Sequence, residues 1–467
     1  MIWSKRTGFQ LQGDSGDAWA QTTARHSIHD VPPQDRTVIR FATFQLFVLI
    51  YLQKFAIGPA KFQMSVPLLV MAAGLAWMIL TRSITFSATR LGLYMIFVAF
   101  CLCSQLLASK TSLPSLLELF LLYGFMTASA PLSDAGYRRL LGNFTKLMII
   151  PAIIIMVQYG IQQITGRGDP ISMDQMLPKS ILMQGYVYEA HYPRWDSVFQ
   201  RPNGFFLLEP SFASFFTAAA AIIEMTTLRR PFHAILMIVA TALTSGGTGV
   251  TMLILASPFL LARESPRLAV PAVFIAVVGL CAAFLLGVKL PLISRLDELD
   301  QSTVGGGYDA SGAVRLTIPL NRLIDLLSDP SYLLSGAGAG STGPELGSPW
   351  PILKLTREYG VLTMISFVIF FLSGFAGRHN IPLKVACAVI FNFTGGYLLD
   401  PATVIFFALV FCLVEPVSAV SWKSALLPGA NSPSRDDERY RRSGIVTYPL
   451  RSRRFDIGPW WLKSSNR

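Results

Sequence analysis

The chain has 467 residues, of which 52% are hydrophobic and 14% charged, and it carries a formal net charge of +12. Its mean hydropathy is +0.49. So few charges are unlike a soluble globular domain, which is nearer a quarter charged, and the Lys and Arg excess sits mainly in the tails and short links, which reads as membrane topology and excludes a nucleic-acid surface.

Residues 1–36 are polar, lack periodicity and are expected to be disordered. The first apolar run starts at Phe41, and no cleavable signal peptide precedes it. Candidate spans then follow at 41–58, 63–80, 91–108, 113–130, 145–164, 205–226, 232–246, 248–263, 268–287, 352–375, 383–399 and 402–420. Most are close to the length of helix that crosses about 30 Å of hydrocarbon. Backbone groups in lipid must be satisfied within the segment, so these blocks are expected to be helices. The fold class is therefore all-α: a polytopic transmembrane bundle of about twelve spans with two long extracytoplasmic loops.

The division into domains is simple. A polar cytoplasmic tail covers 1–40, the transmembrane catalytic domain covers 41–421, and a basic cytoplasmic tail covers 422–467. Arg25, Arg36 and Arg40, Arg82 and Arg90, Arg138, Arg139 and Lys146, Arg229 and Arg230, Arg263 and Arg267, Arg378 and Lys384, and the tail from Arg435 to Arg454 fall in alternate links. The positive-inside rule puts those links, and both termini, in the cytoplasm. The links near Pro59, Lys110, Gly247 and Asp400, and the long loops 165–204 and 288–350, fall on the other side. The five cysteines all lie in apolar blocks with no disulfide or metal-ligand spacing, so neither a metal nor another cofactor is expected.

Long ordered loops are disproportionately functional. The first carries Tyr186, Tyr188, His191, Tyr192, Arg194, Trp195 and Asp196, a density of aromatic and polar groups that suits sugar binding as well as an interfacial belt. It ends in Arg201-Pro-Asn-Gly-Phe-Phe-Leu-Leu-Glu209-Pro-Ser211. Pro210 suits the first turn of a helix, leaving Glu209 at a helix N-terminus where an anion is stabilised. A carboxylate at that depth is either paired, as with Arg201 across the helix top, or functional.

In the second loop, Leu316, Leu320, Leu323 and Leu327 form one stripe of an amphipathic helix, and Arg315 and Arg322 share another face. Two guanidiniums on one face suit a diphosphate, although such arginines also snorkel from ordinary interfacial helices. Ser335-Gly-Ala-Gly-Ala-Gly340 lacks the strand–helix context of a nucleotide loop and is expected to let backbones pack closely. Lys354 and Glu358 stand four apart and are expected to neutralise each other, with Arg357 beside them.

At Arg201-Pro-Asn-Gly with Glu209-Pro-Ser211, at Thr244-Ser-Gly-Gly-Thr-Gly249, at Arg315, and at Ser335–Gly340 followed by Arg357-Glu-Tyr-Gly360, the chain resembles the family of Wzy-type polysaccharide polymerases and O-antigen ligases. The likeness covers roughly residues 40–420 through loosely matching motifs in matching order. It implies a metal-independent glycosyltransferase acting on undecaprenyl-diphosphate-linked oligosaccharide at the outer face of a bacterial inner membrane. Glu209, Arg315 and Arg201 would then be catalytic, with Glu209 the first candidate for the base and His191 and Asp309 behind it. Arg322, Arg194, Tyr188, Trp195, His191 and Arg357 would bind substrate. Membrane lipid, and the machinery for polysaccharide export and chain-length control, would be partners. Family members often carry a histidine after the glycine-rich segment. Here Ser348-Pro-Trp350 stands instead, which favours polymerase over ligase. A twelve-span transporter or flippase is the alternative from another class.

Overall fold

The structure, a computed structural model, describes residues 33–58, 63–108, 111–166, 171–184, 186, 200–264, 335–342, 349–377, 379–393 and 398–416. The tail 1–32, the expected span 268–287, most of both long loops and the C-terminal tail lie outside the described residues.

The fold is mostly helical. Among the described residues its longer helices are α1 Pro33–Tyr51, α2 Val66–Leu80, α3 Ala88–Leu107, α4 Leu113–Gly124, α5 Asp134–Thr165, α6 Pro210–Ile223, α7 Pro231–Leu243, α8 Gly247–Glu264, α9 Pro351–Tyr359, α10 Val361–Gly374, α11 Ile381–Phe393 and α12 Pro401–Phe407. A π-helical turn extends α6 through Glu224–Leu228, and another extends α12 through Ala408–Cys412. Among the described residues, three helices are long and apolar enough to cross a membrane, Ala88–Leu107, Asp134–Thr165 and Pro210–Leu228, and seven further apolar helices are shorter.

Local chemistry explains many of the ends. Pro114, Pro210, Pro231, Pro351 and Pro401 each stand in a first turn, where the missing N–H costs nothing. The Ser133 hydroxyl accepts the Gly136 amide at the start of α5, and left-handed Gly166 ends that helix. The apolar run 352–375, expected as one span, is two helices: Gly360, at a φ of 83°, turns the chain between α9 and α10. Glycine adopts that left-handed conformation without a steric cost. The run 145–164 is the C-terminal part of a longer helix that begins at Asp134.

The core is built around α6, in which every residue from Phe212 to Ile223 is buried. It packs against α5, α7, α8 and α11. Aromatic rings fill the space beside it, with the Phe216 and Phe406 centroids 5.5 Å apart and Phe371 stacked on Phe391 at 4.7 Å. Tilted and offset ring pairs of this kind add to the energy of burial.

The links sort into two ends. At one, β3 (Thr85–Phe86) pairs with β4 (Ala128–Leu132), and β4 pairs in parallel with β5 (Val414–Pro416). Asp35 Oδ2 accepts the Ser133 amide at 3.0 Å there, Thr226 donates to Asn380 Oδ1 at 2.8 Å, and buried Glu224 holds Arg230 in a two-point pair. Such bidentate pairing gives the charge-assisted bonds a fixed geometry. At the other end, β1 (Ala56–Ile57) pairs with β2 (Met64–Ser65), buried Lys54 pairs with Asp174 at 3.0 Å, and the Ser112 amide donates to the Ala339 carbonyl. Among the described residues, the links with Arg82, Arg138, Arg139, Arg229 and Arg230 meet at the first end.

Candidate functional site

The second end holds the segment that leads into the central helix. Asn203 Oδ1 accepts the Phe205 amide at 3.0 Å, a bond typical of a turn-forming asparagine. Gly204 and Phe205 are successive left-handed residues with φ of 71° and 69°. At 204 a Cβ would come within 3.3 Å of both the Pro151 carbonyl and Ile155. Both the conformation and the space therefore call for glycine. Phe205 has no such excuse and holds roughly 1–2 kcal/mol of backbone strain. Pro151 also leaves the Leu147 carbonyl, four residues earlier, without its helical donor. Tyr51 supplies one, donating its hydroxyl to that carbonyl at 2.7 Å while its ring meets Phe206 edge-on at 4.9 Å. The proline break in the α5 ladder and the shape of the Arg201–Glu209 turn are thus tied together.

Glu209 is the N-cap of α6. Its side chain makes no capping bond to the helix amides; the carboxylate instead accepts the Ser211 hydroxyl at 3.0 Å. It therefore sits in the positive field of a helix N-terminus without closing that terminus. Beneath it lies the small-residue break 244–249. Gly249 donates its amide to Ser214 Oγ at 3.1 Å, and a Cβ there would lie 2.2 Å from the Ser214 carbonyl oxygen. A Cβ at Gly246 would meet Ser214 Oγ at 2.4 Å and the Pro210 carbonyl at 3.1 Å. These glycines let the α7–α8 corner press against the first turn of α6.

A second carboxylate arrives from the other end of the sequence. Asp400, in the link between the expected spans 383–399 and 402–420, is the N-cap of α12 and accepts the Thr403 amide at 2.8 Å and the Ala402 amide at 3.4 Å. Tyr186, from the first long loop, donates its hydroxyl to Asp400 Oδ1 at 3.4 Å and lays its ring against Phe212. Burial pushes the Asp400 carboxyl up to about 6, hydrogen bonds from Thr403 and Ala402 pull it back, and the charge of Glu209 adds to the rise. The Tyr186 hydroxyl is raised well above its ordinary range, first by desolvation and then by the charges of Asp400, Glu209 and Glu118. Glu118, on α4, lies within electrostatic range of both Asp400 and Lys354. Three carboxylates, a tyrosine and a lysine therefore share one neighbourhood, beside the middle of α4 and the starts of α6, α9 and α12. Among the described residues, no three His, Cys, Asp or Glu side chains form a group that could hold a metal ion.

Of the residues singled out in the sequence, Arg201 and Glu209 begin and end the same turn. Arg357 is half-buried in the last turn of α9, and its carbonyl accepts the Ala337 amide at 2.7 Å. Arg315, Arg322, Arg194, Tyr188, Trp195, His191 and Asp309 lie outside the described residues. The glycine-rich segment caps α9: Gly338 donates to the Glu358 carbonyl at 3.0 Å, and a Cβ at Gly336 would lie 2.5 Å from the Tyr359 nitrogen. Carbonyls at a helix end need such outside donors. Glu358 is buried and takes the Thr342 amide at 3.4 Å, while Lys354 faces the charge of Glu118. The helix-surface pairing expected of Lys354 and Glu358 does not form.

Asp400 and Glu118 carry no expected role from the sequence. The signal for Asp400 was present: Asp400-Pro-Ala repeats the pattern of Glu209-Pro-Ser, an acid and a proline opening an apolar run. Comparison with known proteins adds no assignment; no family model matches the chain, and no curated protein matches it. What stands on geometry is a mostly helical chain, compatible with a membrane protein, with an acidic cluster at one end of its central helix.

Proposed function

We propose that the chain is a membrane-embedded glycosyltransferase that polymerises undecaprenyl-diphosphate-linked oligosaccharide units into exopolysaccharide, capsule or O-antigen. In this reading it spans a bacterial inner membrane about twelve times, and the Glu209 end faces outward. The observation that carries the proposal is the Arg201–Glu209 turn itself. It sets a cation at one end and, at the other, a carboxylate that does not close the helix it heads.

The chemistry fits these groups. Glu209 accepts the proton of an acceptor-sugar hydroxyl as that oxygen bonds to the anomeric carbon of the donor. The bond from that carbon to the lipid diphosphate breaks, and the electron pair leaves with the diphosphate. Arg201, with Arg315 and Arg322 of the second loop, stabilises the charge that develops there. Tyr188, His191, Arg194 and Trp195 supply the sugar surface, and Arg357 a further contact. The segregation of arginine-rich links to the opposite end supports the orientation.

A second reading has one observation in its favour. A buried carboxyl raised to about 6, beside Glu118 and Glu209, is also what a proton-coupled carrier would use. Extraction of lipid-linked saccharides from a deletion strain separates the two. Single repeat units exposed on the outer face support the polymerase. Units trapped on the inner face support a flippase.

A further inference from the structure

The Arg201–Glu209 turn is held by three glutamine side chains from two distant parts of the chain. Gln162 Oε1 accepts the Gln200 amide at 3.1 Å, Gln158 Oε1 accepts the Gly204 amide at 2.9 Å, and Gln53 Oε1 accepts the Leu208 amide at 3.1 Å. The contacts fall every fourth residue along the turn. They bracket Arg201 and stop one residue short of Glu209. Gln158 and Gln162 are one helical turn apart on α5 and so share a face. Gln53 follows the end of α1. All three are buried, with exposures of 0%, 2% and 1% in the order 158, 162, 53.

A backbone N–H only donates, so in each case the amide oxygen must face the turn and the NH₂ must point away. Gln158 uses that end, donating to the Ile171 carbonyl at 2.9 Å. The nitrogens of Gln53 and Gln162 are buried and have no partner among the described residues. A buried donor without an acceptor is a cost. The chain bears it at two of the three positions, where the amide oxygen is the group that pairs the backbone of the turn. We infer that Gln53, Gln158 and Gln162 are positioning residues. Their oxygens hold a strained backbone in the one conformation that sets Arg201 and Glu209 for sugar transfer. The catalytic part of this inference rests on the polymerase reading; the geometric part does not.

The test uses the full chain in nanodiscs and compares Gln53→Met with Gln53→Glu. The glutamate keeps the accepting oxygen and loses no hydrogen bond made by the nitrogen. Loss of the acceptor in Gln53→Met is expected to speed amide exchange at Leu208 about tenfold, with the 212–223 helix unchanged. Polymer formation from lipid-linked oligosaccharide should fall on the order of 100-fold in kcat with KM little altered, the pattern of a misplaced catalytic group. Gln53→Glu should stay near wild type in both. Gln162→Met and Gln162→Glu give the same comparison at Gln200 if Gln53→Met fails to fold. Unchanged exchange in the Met variants, or equal impairment of Met and Glu variants, overturns the positioning role. A wild-type chain that forms no polymer while the exchange pattern holds overturns the polymerase reading alone.

Discussion

Glu209 and Asp400 occupy the same position on two different helices but use their carboxylates differently. Each is an N-cap followed by proline. Asp400 closes its helix by accepting the Ala402 and Thr403 amides, whereas Glu209 leaves the α6 amides alone and holds Ser211 instead. Of the two carboxylates, only that of Asp400 caps the helix it heads.

That contrast makes a pH prediction for Asp400. Its folded pKa of about 6 lies above the ordinary 3.8, so the folded chain binds this proton more tightly than the unfolded one. The resulting stability is fully present below 3.8 and is lost as pH rises through about 6. Asp400→Asn keeps an oxygen for the cap and cannot ionise. Thermal unfolding in detergent should therefore show a wild-type decline in melting temperature across this window that is flattened in Asp400→Asn. Parallel profiles for the two proteins would remove Asp400 from the account.

Gly249 is a packing residue on this reading, because a Cβ there would lie 2.2 Å from the Ser214 carbonyl oxygen. Gly249→Ala should force α8 away from α6 and cost about 1–3 kcal/mol. A shift in thermal unfolding of the purified protein checks this. An unshifted transition would mean that the α7–α8 corner has room to move.

Arg315 tests the phosphate half of the proposal. Arg315→Ala should cut polymer yield by on the order of 100-fold, the scale of losing one group that stabilises developing charge, while single lipid-linked units accumulate. Gel analysis of surface polysaccharide together with lipid extracts reads both. Long polymer at wild-type levels would show that Arg315 does not hold the diphosphate.

The chain shows which parts of such a fold can be read in advance. Apolar blocks revealed most helices because burial in lipid or a bundle demands long unbroken runs. Pro210 revealed that Glu209 opens a helix, because proline tolerates that position and few others in a helix. The break at Gly360 stayed hidden, since one glycine within an apolar run interrupts hydropathy very little. Asp400-Pro carried the same local signal as Glu209-Pro, but its contact with Tyr186 could not be read, because that partner stands 214 residues away. The glutamines were less legible still. A single amide inside an apolar helix has no periodic signature, and its acceptor role exists only once the chain has folded back on itself.

The central claim is that Glu209 takes the proton of the attacking sugar hydroxyl. The direct measurement is polymer-ladder formation by purified protein in liposomes, supplied with lipid-diphosphate-linked oligosaccharide, for wild type against Glu209→Gln. The account predicts a ladder for wild type. For Glu209→Gln it predicts a rate lower by about 10²–10⁴-fold, the usual worth of a general base, with donor binding retained. A Glu209→Gln ladder formed at the wild-type rate would contradict it.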